Sequence, residues 1–171
     1  MRVPFPELTP SQKTLNRVLA ISRFNGWSVA IFGGLGLVLA LGTADWVGSL
    51  VSLVVVAAGW LELRGHAQLQ RCEPAGMKTL VQSQLLLLAL LLTYCASRVG
   101  NLEATQLGPD LEAVLKQGAL KQGNFLPALR GILIAFYVTL GLTAVVYQGG
   151  LALYYWSKTP KVREALRHRS F

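Results

Sequence analysis

Between Arg23 and Arg64 the chain runs forty residues without a lysine or arginine, and most of them are apolar. At about 1.5 Å per residue, one helix of that length would be twice the thickness of a bilayer's hydrocarbon core. The stretch must therefore fold back on itself. The hinge is expected at Gly42-Thr43-Ala44-Asp45-Trp46, where a flexible residue, a carboxylate and an interfacial aromatic interrupt the apolar run. Two spans result, about 26–41 and 46–63. A third, about 80–97, contains Leu85-Leu86-Leu87-Leu88-Ala89-Leu90-Leu91-Leu92 and meets no charge before Arg98. A fourth, about 129–156, is long enough to tilt or to extend beyond the lipid, and it closes on Tyr154-Tyr155-Trp156, an aromatic cluster suited to the headgroup level.

Composition agrees. Of 171 residues, 53% are hydrophobic and 14% charged, against roughly 25% charged in soluble domains. A domain this small could not cover such apolar blocks with its own polar surface. The net charge of +8 would suggest nucleic acid in a soluble protein, but its placement assigns it differently. Arg2, Lys13, Arg17 and Arg23 precede the first span, Arg64, Arg71 and Lys78 lie between the second and third, and Lys158, Lys161, Arg163, Arg167 and Arg169 follow the fourth. The other side holds Arg98, Lys116, Lys121 and Arg130, balanced by Asp45, Glu103, Asp110 and Glu112. Because Lys and Arg near the spans accumulate on the cytoplasmic face, both termini are expected there. The plasma (inner) membrane is the expected location, and no nucleic-acid partner is needed. Small residues from Ala40 to Ala44 would suit a signal-peptide cleavage site. The preceding segment is too long and polar for that, and another span would begin at once.

The expected fold is thus an all-α integral membrane protein, four transmembrane helices in a bundle with short amphipathic flanking helices. Residues 1–25 form a cytoplasmic amphipathic segment, 26–156 the membrane domain with an outer loop at 98–128, and 157–171 a basic cytoplasmic tail. Thr9-Pro10 and Thr159-Pro160 both read as helix starts, a capping hydroxyl followed by proline in the first turn. Their basic residues would attract anionic lipid. In the outer loop, Pro109-Asp110-Leu111-Glu112 resembles a helix start, leaving an interfacial helix, a lid or a re-entrant element open.

Helices associate in lipid through small residues and occasional hydrogen-bonding groups. Gly26, Ala30 and Gly34 recur every fourth residue in the first span, and Gly48, Ser52, Val55, Gly59 and Glu62 share a face of the second. Gln82, Leu86, Ala89, Thr93 and Ala96 line one side of the third. Tyr137, Gly141, Ala144, Gln148, Ala152 and Tyr155 line one side of the fourth. Packing within the bundle or between subunits is one reading of these stripes. The other is that Glu62, Gln82, Thr93, Tyr137 and Gln148 line a pathway or pocket, because polar groups in lipid are costly and often functional. Glu62 could also pair with Arg64 or snorkel to the interface.

Cys72 and Cys95 fall on opposite sides of the membrane, so no disulfide between them is expected, and isolated His66 and His168 predict no metal site. No cofactor signature is present, and Gly33-Gly34-Leu35-Gly36 lies inside an apolar span, where it suits close helix contact. Arg98-Val99-Gly100-Asn101-Leu102-Glu103 resembles the Arg, Asn and acidic cluster of four-span membrane enzymes acting on eicosanoids and glutathione. The likeness covers six residues; the acid follows Asn101 by two positions rather than three, and the segment falls on the outer side. The resulting expectation is a non-catalytic, oligomerising subunit of a channel or transport-type assembly, a homo-oligomer or part of a larger complex. A membrane enzyme or lipid-binding protein with a pocket between the spans is the alternative.

Overall fold

The computed structural model describes residues 9–100 and 125–167, with side chains described outside 125–130. The segment expected to start a helix at Pro109, together with Asn101, Glu103 and His168, lies outside the described residues. The elements are helical: α1 (Pro10–Gly42), α2 (Trp46–Gln70), α3 (Ala75–Gly100), α4 (Phe125–Ala144), a π turn (Val145–Gly149) and α5 (Gly150–Arg167). Four stretches are long and apolar enough to cross a membrane, Pro10–Gly42, Trp46–Gln70, Ala75–Gly100 and Gly131–Arg167. They mark a multi-pass membrane protein. Large apolar side chains such as Phe32, Val38, Leu50, Leu142 and Leu153 stand exposed along them, a surface that water would not tolerate at this extent.

Local chemistry sets the helix ends. Thr9 caps α1: its hydroxyl accepts from the Gln12 amide at 3.3 Å, while Gln12 Oε1 accepts from the Thr9 amide at 3.0 Å, ahead of Pro10 in the first turn. At the other end Ala44 turns the chain in the left-handed conformation (φ 53°), and Asp45 caps α2 through a 2.9 Å bond from the Gly48 amide to Oδ1. Cys72 (φ 62°) turns the chain between α2 and α3.

The flanking segments differ from expectation, because neither forms a separate short helix. α1 runs unbroken through Asn25-Gly26 and α5 passes through Pro160. An interior proline costs about 3 kcal/mol. Burying Val162 and Leu166 beyond it contributes roughly 1.5–3 kcal/mol each, enough to carry the helix onward. Thr159 Oγ1 also donates to the Tyr155 carbonyl at 3.0 Å.

The chain divides into two compact units, 1–90 with 147–171, and 91–146. In the first, Leu15, Val18, Leu69, Met77, Leu80, Tyr155, Val162, Ala165 and Leu166 form a dry core at the arginine- and lysine-rich ends of the helices. Further along, α1 and α2 meet through glycine. A Cβ on Gly59 would lie 2.7 Å from the Ala30 amide nitrogen, and one on Gly33 2.9 Å from that of Val56. α2 and α3 approach as closely, since a Cβ on Gly76 would lie 2.6 Å from the Gly65 carbonyl oxygen. Ser11 Oγ donates to Glu164 Oε2 at 2.9 Å, tying the start of α1 to the end of α5. In the second unit, the Tyr94 and Tyr137 rings meet edge to face at 6.2 Å, and Arg98 lies over Tyr94 at 5.2 Å.

Candidate functional site

Above the dry core of the first unit lies a buried polar cluster centred on Glu62, which is 1% exposed. Glu62 stands on α2, and three further helices and the π turn supply its surroundings. From α1, Asn25 Nδ2 donates to Glu62 Oε2 at 2.6 Å; from α3, Gln84 Nε2 donates to the same oxygen at 2.9 Å. From α5, the Tyr155 hydroxyl donates to Oε1 at 3.0 Å. The π turn adds an outer contact, the Tyr147 hydroxyl donating to Asn25 Oδ1 at 3.1 Å. A carboxylate offers about four acceptor positions, so three donors nearly saturate it. All three are neutral, and no lysine or arginine among the described residues bonds to it. Hydrogen bonds to an ionised acceptor are roughly twice as strong as neutral ones, yet they do not discharge a buried carboxylate.

Sequence-local features explain how the cluster assembles. Leu15, Val18, Ser22 and Asn25 follow at spacings of three, four and three, so the α1 face that enters the dry core turns polar one level higher. Tyr155 belongs to both regions, with its ring in the apolar cluster and its hydroxyl on Glu62. One acceptor at the site is left over: Gln84 Oε1 is buried and has no hydrogen-bond partner among the described residues, as is Gln148 Oε1. Ser22 Oγ lies 3.1 Å from His66 Nδ1 on the adjoining turn of α2.

Of the five polar residues singled out from sequence, Glu62 and Gln148 are buried in this unit, at 1% and 6% exposure. Gln82 is exposed on α3. Thr93 and Tyr137 belong to the other unit, where Thr93 is exposed and half-buried Tyr137 contacts Phe136 and Tyr94. The buried face of α3 is Met77, Leu80, Ser83, Gln84 and Leu87, on the opposite side from Gln82, Leu86 and Ala89. Three consecutive polar residues, Gln82-Ser83-Gln84, cover more than half of the helix circumference. The leucines that follow give no small-residue cue to choose between the faces. Asn25 was within reach, because extending the stripe from Ser22 by three residues arrives at it.

Among the residues expected to pack helices, Gly26, Ala30 and Gly59 meet at the α1–α2 crossing, and Ser52 Oγ lies 2.9 Å from where a Cβ on Gly36 would stand. A Cβ on Gly48 would meet Asp45 and Ala40, and one on Gly141 would only graze Leu92 and Cys95 at 3.9 Å. Gly34 has nothing within 4 Å, and Gly33 takes the third place in the crossing. Gly65 and Gly76, which no stripe indicated, make a second close contact. No protein-family model matches the chain, and neither the curated proteins nor the solved structures yield a match.

Proposed function

We propose that the protein is a non-catalytic, oligomerising subunit of a channel or transport-type membrane assembly, in which Glu62 is the group that takes up a proton or small cation. The observation that carries this reading is a fully buried carboxylate whose hydrogen-bond donors among the described residues are Asn25, Gln84 and Tyr155, all of them neutral. An uncompensated charge in a low-dielectric site is costly, and ionisable groups within spans commonly belong to ion pathways or proton relays. A proton or a cation would compensate the charge. The electron-pair donors at the site are oxygens, among them the carboxylate and Gln84 Oε1, which has no hydrogen-bond partner among the described residues, and oxygen is the ligand that hard cations prefer.

Assembly with further copies or partners is supported by Gly34, Gly149 and Gly150, around which a Cβ would meet nothing within 4 Å. Such small residues allow another helix to approach closely. The basic ends of the helices fit a cytoplasmic position for both termini in the plasma (inner) membrane.

Reconstitution into liposomes tests the functional claim. Proton or monovalent-cation flux is expected with the native chain and should fall at least tenfold in Glu62→Gln, which preserves side-chain shape while removing the charge. Unaltered flux in the variant would take Glu62 out of the mechanism. Mass measurement in mild detergent tests the assembly, and a strictly monomeric species would remove that part of the reading.

A further inference from the structure

A groove of about 590 Å³ opens between α3 and α5 in the first unit, lined by apolar Met77, Val81, Leu85 and Trp156 and by polar Gln82 and Thr159, with the cations Lys78 and Arg163 on its border. Lys78 and Arg163 border both this groove and the adjoining one, whereas Leu85 and Trp156 border this groove alone. Each cation lies seven residues from the apolar residue on its own helix, two turns or about 10 Å along it. The volume falls in the usual range for small-molecule sites. Lys78 and Arg163 are exposed and also border an adjoining cavity of about 470 Å³ that includes Arg167. Trp156, 72% exposed, offers a broad apolar ring face at the end of the groove away from the cations.

We infer that this groove is a binding site for one anionic phospholipid, its phosphate held between Lys78 and Arg163 and one acyl chain laid along Val81 and Leu85 towards Trp156. The charge arrangement selects the ligand. A guanidinium offers a fork that matches phosphate oxygens, and an ammonium adds a point charge beside it. The apolar walls begin one turn deeper, where the glycerol-linked chains of a phospholipid would start. A free phosphate would leave those walls unused, and a zwitterionic lipid would bring its own ammonium beside the phosphate, where it would compete with and repel the two protein cations. The site does not depend on Glu62, whose cluster uses other residues.

Native mass spectrometry of the full chain in mild detergent, titrated with phosphatidylglycerol or phosphatidylcholine of identical acyl chains, tests the site. One phosphatidylglycerol is expected to be retained in preference to phosphatidylcholine. At about fivefold per basic residue, the double variant Lys78→Gln with Arg163→Gln should weaken retention by on the order of thirtyfold. Leu85→Trp should displace the lipid by filling the groove with both cations intact, whereas Lys13→Gln with Arg17→Gln should leave retention unchanged. Equal retention of both lipids, or full retention in the Lys78 and Arg163 variant, would overturn the proposal. So would equal losses in the Lys13 and Arg17 variant, which would indicate diffuse surface attraction. Leu85→Trp altering the oligomeric mass without affecting lipid would identify a second copy of the chain as the occupant.

Discussion

At Glu62 the effect of a substitution depends on what replaces the carboxylate. Glu62→Ala leaves Asn25 Nδ2, Gln84 Nε2 and the Tyr155 hydroxyl without their acceptor, and each buried donor so abandoned costs about 1–3 kcal/mol. Glu62→Gln keeps one carbonyl oxygen in place and should be the milder change. Thermal unfolding of the detergent-solubilised protein is expected to show a clearly lower midpoint for Ala than for Gln. Equal midpoints would mean that the three hydrogen bonds contribute nothing to stability. Glu62 was legible because a lone acid inside a long apolar run stands out. Of its partners, Asn25 and Tyr155 fall on faces that helical spacing indicates, but Gln84 does not, because its amide gains meaning only from the carboxylate that it faces on another helix.

Among the helices, α1 and α2 show how backbone proximity discriminates between similar residues. Gly59→Val would drive a side chain into the Ala30 backbone, 2.7 Å from its Cβ position, whereas Gly34→Val would enter open space. Overpacking of this kind costs about 1–3 kcal/mol. Gly59→Val should therefore lower the unfolding midpoint, whereas Gly34→Val should leave that midpoint close to native and act only on the approach of a further helix, read as a shift in the size-exclusion profile. A reversed order would place the α1–α2 crossing on the other face. The four-residue ladder through Gly26 and Ala30 was readable, but its third member was not. The crossing tilts one helix over the other, and contact shifts from a spacing of four to one of three. α5 makes a related point: Thr159-Pro160 has the local signature of a helix start, but the buried residues beyond it outweigh the proline.

Across the molecule, exposed apolar side chains along the helices coexist with a dry core gathered at their basic ends. The lipid-exposed lengths need no apolar core, since neighbouring side chains gain little over acyl chains. Segments beyond the lipid must bury theirs against one another. This arrangement places Cys72, half-buried in the α2–α3 turn, at the end of the first unit where α1 starts and α5 ends, the end that the proposed orientation puts in the cytoplasm. In intact cells a membrane-impermeant thiol reagent should leave Cys72 unlabelled and modify it after permeabilisation, with tags at the two termini becoming accessible together. Labelling of Cys72 in intact cells would reverse the orientation.

The four apolar helices, the turn at 43–45 and the bias of basic charge were decided by the sequence alone, because a bilayer acts on run length, hydropathy and charge position without reference to neighbours. The buried face of α3, the continuity of α1 and α5 with their flanking segments, and the joining of Asn25, Gln84 and Tyr155 on Glu62 were decided only by tertiary structure. Inside lipid, helix rotation is set by close backbone contacts and by which polar groups can satisfy one another. Both depend on pairs of residues far apart in the chain.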